Sequence, residues 1–357
     1  MKARLANWLL ILLLFPLYCV AITVKDSAPE EYIVKKGDTL WDISSLYLSE
    51  PWQWPELWRN NSYIVNPHLI YPGDELRLRL NAQGEAVLDL VRSPEVTKPA
   101  VKLTPEGKKI TKPVQPIATL PWSVIQTFVD NDLMLSDDEY QQLPAILGDA
   151  DGGIRFASGD LVVGQLMPAG NYAIIRKQND IIDMQGDAIG LHVRNVADAD
   201  VVAVEGSNTS LIKVNSSRFE ILRGDRLMQV DDLTLDQALG LVPANQQRGA
   251  ILSNLQQHHL MGKYDVVALD LGQSDVVPGT VMGIYIQGPT IVDSDDPRYE
   301  GEKGNWLGSK LSFSDEHQQP ALKVGELVIF KVFTNSSYAL ITRSTKMIKR
   351  GAIVANP

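Results

Sequence analysis

The sequence predicts an α+β protein built in series: an N-terminal βααβ module, an extended proline-rich spacer, a short helical segment, and a β-rich C-terminal region whose turns suit small β-barrels. Three observations carry this. Residues 31–80 read extended, helical, helical and extended, with turn residues at the joins. Prolines recur through residues 81–121, where no strand or helix period is kept for long. Beyond residue 150, short runs rich in Val and Ile alternate with Gly- and Asp-bearing turns.

Taken in order, Lys2 and Arg4 precede an apolar run from Trp8 to Val20, and the small residues Cys19 and Ala21 suit cleavage after Ala21. Residues 1–21 therefore read as a secretory signal peptide. Pro16 interrupts the run, which falls short of the roughly 20 apolar residues a membrane span needs. A retained N-terminal anchor is the alternative; after cleavage no stable membrane span is expected. Cleavage also removes the chain's one cysteine, Cys19, leaving neither disulfide nor thiol chemistry.

Within residues 31–80, Tyr32-Ile33-Val34 is extended and Lys36-Gly37-Asp38 turns. Asp38 or Thr39 can cap a helix in which Leu40, Ile43 and Tyr47 share one face. Pro55 suits the first turn of a second helix, from which Leu57 and Trp58 would face the core. Pro72-Gly73 fits the centre of a type II turn, and Leu76, Leu78 and Leu80 then alternate with Glu75, Arg77 and Arg79 as a half-buried strand. Trp41, Trp52, Trp54 and Trp58 are four of the seven tryptophans. They either fill the small core or stack at a groove rim on a sugar face.

The words Tyr32-Ile33-Val34, Gly37-Asp38-Thr39-Leu40-Trp41-Asp42-Ile43-Ser44 and Ile70-Tyr71-Pro72-Gly73-Asp74-Glu75-Leu76, in this order and separation, resemble a LysM domain. The segment between the helices is longer than is common there. The resemblance implies a βααβ fold that binds N-acetylglucosamine-containing glycans, chiefly peptidoglycan. It implies a shallow groove between Gly37, Asp38, Thr39 and Leu40 on one side and Asn66, Pro67, His68, Leu69, Ile70, Tyr71 and Pro72 on the other. Backbone groups of these loops would bond the acetamido group. Leu40, Leu69, Ile70 and Tyr71 would touch the sugar rings, unless Leu40 or Ile70 is wholly core.

Residues 81–121 read as a semi-rigid spacer, parts of which, such as 86–91, can pair with a neighbouring sheet. Residues 122–147 read as helical: Trp122, Ile125 and Val129 keep helical spacing, and Ser136 precedes Asp137, Asp138 and Glu139 as at a helix start. Strands are expected at 160–165, 172–177, 201–205, 264–270, 281–287, 326–333 and 337–342. Residues 179–194 and 233–259 are less clear, with 235–241 or 246–257 as helical candidates. A spaced word, apolar-x-x-Gly-x-x-apolar, recurs at Phe156/Gly159/Val162, Ile221/Gly224/Leu227, Val276/Gly279/Met282, Leu322/Gly325/Val328 and Ile348/Gly351/Val354. It resembles the Gly-Asp turns of small closed barrels, which leave no sheet edge.

The formal net charge of −10, with no basic patch, argues against nucleic acid as a partner. Cysteine-dependent wall hydrolases lack their nucleophile here. His68, His192, His258, His259 and His317 show no zinc-ligand spacing, and Asp293, Asp295 and Asp296 lack the glycine and distal glutamate of a calcium loop. No metal, cofactor or catalytic residue is expected, although paired carboxylates of a glycosidase type are not removed by composition. As a whole the chain resembles proteobacterial envelope proteins with a LysM head and a β-rich tail. The expectation is a non-enzymatic periplasmic protein that tethers a β-rich scaffold to peptidoglycan. The tail would dock another envelope protein. The alternative is a cell-wall hydrolase with a carboxylate site in the tail.

Overall fold

A computed structural model describes residues 23–58, 70–81, 86–91, 119–202, 208–229, 239–256, 258–293, 297–300, 302 and 315–357. They fall into two compact units, one ending at Leu120 and one beginning at Pro121. Among them, no helix is long and apolar enough to cross a membrane. The leader reading of residues 1–21 lies outside the described residues.

The N-terminal unit contains β1 (Glu31–Ile33), α1 (Leu40–Tyr47), a 3-10 turn (Pro51–Gln53), α2 (Trp54–Trp58), β2 (Glu75–Leu80) and β3 (Ala86–Val91). Thr39 caps α1: its hydroxyl oxygen accepts from the Asp42 N–H at 3.1 Å. Leu40, Ile43 and Tyr47 turn inward together, as their spacing requires, and pack with Leu57, Ile70 and Leu76. β2 runs antiparallel to β1 and β3, with Tyr32 opposite Leu76 and Leu78 opposite Leu88. The alternation expected of β2 frays: Leu76 is buried, but Leu80 is 70% exposed. Two described pieces of the stretch read as a spacer belong to this unit. β3 is its third strand, and the Thr119 carbonyl accepts from the Trp41 N–H at 3.1 Å.

The second unit opens with α3 (Trp122–Asn131), β4 (Asp132–Leu135) and α4 (Asp137–Gln142). The continuous helical reading of 122–147 is thus corrected. Asp132, Leu133, Met134 and Leu135 pair with Arg194, Val193, His192 and Leu191, so tertiary pairing overrides local periodicity. α4 starts at the capping box of Ser136 and Glu139. The Ser136 N–H and hydroxyl hold the Glu139 carboxyl below its ordinary range.

A first barrel follows, built from β5 (Ile146–Gly148), β7 (Leu161–Gln165), β8 (Gly170–Ile182), β9 (Ala188–Val202), β10 (Thr209–Ser217) and β12 (Arg226–Gln229), while β6 (Arg155–Phe156) and β11 (Ile221–Leu222) pair with each other as a separate two-stranded sheet. Its sheet order is β12-β8-β9-β10-β7-β5, and the Ala145–Arg226 bridge joins the two ends. The second is built from β13 (Val242–Pro243), β14 (Gly249–Asn254), β15 (Val266–Leu269), β16 (Thr280–Ile286), β20 (Leu322–Val332), β21 (Ser337–Ser344) and β22 (Ile353–Ala355), with β17 (Ile291–Asp293), β18 (Arg298–Tyr299) and β19 (Asp315–His317) forming a separate three-stranded sheet between β16 and β20 in the chain. Here β16-β20-β21-β15-β14-β22 closes because β22 pairs back onto β16. The two barrels share one circular strand order. Their cores centre on Val162, Ile174, Ile212 and Leu227, and on Ile251, Met282, Leu327 and Ile341.

The repeated turn recurs at matching places. Gly159, Gly224 and Gly351 have φ of 94°, 95° and 84°. Each donates its N–H to a barrel strand, at the carbonyls of Val214, Ile146 and Ile251. Asp160 and Asp225 close their turns by accepting from Ala157 and Leu222 N–H. A further copy escapes the glycine word: Tyr264 takes φ 74°, donates to the Ile341 carbonyl, and is followed by Asp265, which accepts from Gly262 N–H. Gly325 is a correction. It lies inside β20, not at a turn, and a Cβ there would stand 2.4 Å from the Arg343 carbonyl oxygen. Residues 246–257, a helical candidate, contain strand β14. Residues 179–194 complete the long β8–β9 hairpin.

Candidate functional site

Two turns in the N-terminal unit have the same construction. Gly37 and Gly73 both take φ 99°. Asp38 accepts from the Lys35 N–H at 2.8 Å, and Asp74 from the Tyr71 N–H at 3.0 Å. Buried Val34 ties them together: its N–H donates to the Asp74 carbonyl at 2.9 Å, and its carbonyl accepts from Gly73 N–H at 2.8 Å. Val34 and Asp74 were missed as site residues. Their signal was the Gly-Asp word repeated at 37–38 and 73–74.

Gly37 is exposed at the tip of its turn, and Tyr71 and Pro72 are half-buried on the facing one. The Asp38 carboxylate also accepts from the Tyr32 hydroxyl at 2.9 Å. Thr39 is buried, and its hydroxyl is spent on Asp42, capping α1 and donating to its carboxylate at 2.7 Å. Leu40 and Ile70, expected to touch sugar, are corrected to core: they are 3% and 1% exposed, because α1 and the residue before the second turn supply the apolar face that covers the sheet. Asn66, Pro67, His68 and Leu69 lie outside the described residues. Trp41 and Trp54 are buried, while Trp52 is half-buried with its indole N–H on Glu50 at 3.2 Å. The Trp58 side chain lies outside the described residues.

Burial, then the hydrogen bond to Asp38, pushes the Tyr32 hydroxyl up to about 12; burial does the same for Tyr47. An unfolded tyrosine ionises near 10. Above that pH the unfolded chain therefore holds fewer protons than the native unit. Stability should be intact below pH 10 and fall as the pH rises towards 12. The Tyr47 hydroxyl is buried with no hydrogen-bond partner among the described residues. Tyr47→Phe should leave urea stability unchanged or raise it by about 1 kcal/mol, and should flatten the alkaline loss. A strongly destabilised variant would show that the hydroxyl has a partner.

In the second unit Asp132 pairs with His192 and Arg194. Both imidazole nitrogens are engaged, Nε2 with Asp132 at 2.6 Å and Nδ1 with Asn179 at 3.1 Å, so neither is presented to a substrate. No group of three metal-ligating side chains occurs among the described residues.

Comparison with known proteins agrees with this geometry. The LysM domain family matches residues 32–79. A 62-residue stretch is 37% identical to the uncharacterized protein YqbP of Bacillus subtilis (strain 168), covering 15% of this chain and 28% of that protein. The match thus spans under a third of that relative. LysM domains generally bind peptidoglycan- or chitin-like glycans. Residues 32–79 are a LysM domain, and the chain is a LysM-domain protein.

Proposed function

We propose that the protein is exported to the periplasm, binds peptidoglycan through the paired turns at Gly37 and Gly73, and thereby tethers its tandem barrels to the cell wall. The observation that supports glycan binding at these turns is the pair of Val34 hydrogen bonds, which holds the two turns side by side. With Leu40 and Ile70 in the core, recognition falls to turn backbone, Tyr71 and Pro72. Few contacts make for weak affinity, on the order of micromolar to millimolar. The repeating glycan offsets this by offering many adjacent sites. The barrels act as scaffold and bind other envelope proteins. Residues 22–357 should co-sediment with purified sacculi, and deletion of residues 31–80 should abolish this. Equal sedimentation of the deleted form would reject the reading. Dye-labelled sacculi should release no label; steady turnover would instead establish a hydrolase.

A further inference from the structure

Two loops of the second barrel, residues 258–264 and 345–350, meet at one place. Met261 and Ile348 bridge them by exchanging both backbone hydrogen bonds, each at 2.9 Å. Both side chains are buried in the barrel core. Neighbouring positions on an extended segment face opposite ways, so the residues beside them turn out to solvent. Leu260 is 46% and Met347 64% exposed. Leu322, which opens β20, is 57% exposed and lies beside the second loop, where the Thr345 N–H donates to the Val324 carbonyl at 2.7 Å. The backbone carrying these side chains is pinned. Asp265 accepts from Gly262 N–H at 2.7 Å, and Tyr264 N–H donates to the Ile341 carbonyl at 2.7 Å. The fold itself therefore holds the apolar groups in water.

Positive charge gathers at the same place. Residues 258–264 and 342–350 hold Lys263, Arg343, Lys346, Lys349 and Arg350 and no acid, in a chain of formal net charge −10. Arg343 and Lys323 face the buried Glu326 carboxylate, at 3.7 Å and 2.8 Å. Arg350 is spent on the carbonyls of Ile182 and Asp183, at 2.8 Å and 2.6 Å. Lys263, whose ammonium stands 4.5 Å from the Tyr264 ring centre, is exposed, as are Lys346 and Lys349.

We propose that this end of the second barrel seats on an anionic lipid bilayer. The lysines lie at the level of the headgroup phosphates, and Leu260, Leu322 and Met347 enter the boundary with the acyl chains. Charge complementarity points to an anionic surface. The exposed aliphatic side chains set among the lysines favour lipid, because a soluble polyanion would leave them in water. Such a contact is peripheral and needs no membrane-spanning helix. It does not depend on what the LysM domain binds.

Vesicle flotation of residues 22–357 tests this. The protein should float with vesicles of phosphatidylglycerol and phosphatidylcholine in equal parts, stay behind with phosphatidylcholine alone, and detach as salt rises. K346E/K349E should weaken binding at least about tenfold. L260S/M347S keeps every charge and should weaken it several-fold, since it removes only the apolar part of the contact. All four side chains are exposed, so both variants should keep the urea midpoint of the unmodified chain. Failure to float with the anionic vesicles, equal flotation with phosphatidylcholine alone, or unchanged binding by either folded variant would overturn the proposal. Displacement from the vesicles by soluble polyglutamate of equal total charge would assign the surface to an acidic protein and overturn it as well.

Discussion

Asp132→Ala should cost the barrel unit about 3–5 kcal/mol, the range for breaking a buried ion pair by removing one member. Asp132 opens β4 and is 1% exposed, as is His192. One carboxylate oxygen receives His192 Nε2 at 2.6 Å and Arg194 Nε at 3.1 Å. Truncation leaves the guanidinium without its carboxylate and a buried imidazole with one nitrogen unpaired. The loss reaches the second barrel too. Lys331 donates to the Asp132 carbonyl at 3.0 Å and the Val129 carbonyl at 2.7 Å, and the Tyr338 hydroxyl donates to the Leu133 carbonyl at 2.9 Å. Burial and then the Asp132 charge hold the Tyr338 hydroxyl well above its ordinary range. Asp132→Ala should therefore also let Tyr338 ionise at lower pH, still above the ordinary value. Urea unfolding reads the first effect and absorbance titration the second. A loss under 1 kcal/mol would mean that the carboxylate is dispensable to the packing of β4.

The LysM domain was legible because its signals are local. Turn glycines with an acid after them, a capping threonine and an apolar stripe each act within a few residues, so Gly37-Asp38-Thr39 and Tyr71-Pro72-Gly73 announced their own conformations. What the side chains do with that backbone was less legible. Leu40 and Ile70 are core or groove depending on which face the sheet covers, and β3, which widens that sheet, lies in a spacer-like stretch where 86–91 was readable as a pairing strand but its partner was not. In the tail the glycine word found the turns at Gly159, Gly224 and Gly351. It missed Tyr264, which holds the same conformation without being glycine, and it wrongly took in Gly325, where the need is closeness of strands. Strand β4 was read as helix because its reason for being a strand, pairing with β9, lies some sixty positions away. The buried Asp132–His192 pair was invisible for the same reason.

That distinction between glycine for conformation and glycine for closeness gives the other large effect. Gly224 and Gly279 have the same φ of 95°. At Gly224 a Cβ would meet nothing within 4 Å, so Gly224→Ala should cost only the left-handed strain, about 1–2 kcal/mol. At Gly279 the same Cβ would lie 2.0 Å from the backbone oxygen of Gly240. Backbone yields less readily than a side-chain tip, and here it is pinned. The Val242 N–H donates to the Gly279 carbonyl at 3.1 Å, and Ala244 N–H to the Val281 carbonyl at 2.9 Å, holding β13 parallel against β16. Gly279 N–H is itself bonded to the Ile329 carbonyl at 2.7 Å, so the turn has no free side to retreat to. Gly279→Ala should thus add an overpacking cost of about 1–3 kcal/mol to the strain. It should also detach β13, raising hydrogen exchange at the Val242 and Ala244 amides. Urea unfolding of the two variants side by side measures the difference directly. Equal losses would show that β13 moves aside freely, and that Gly279 is kept for its backbone angle alone.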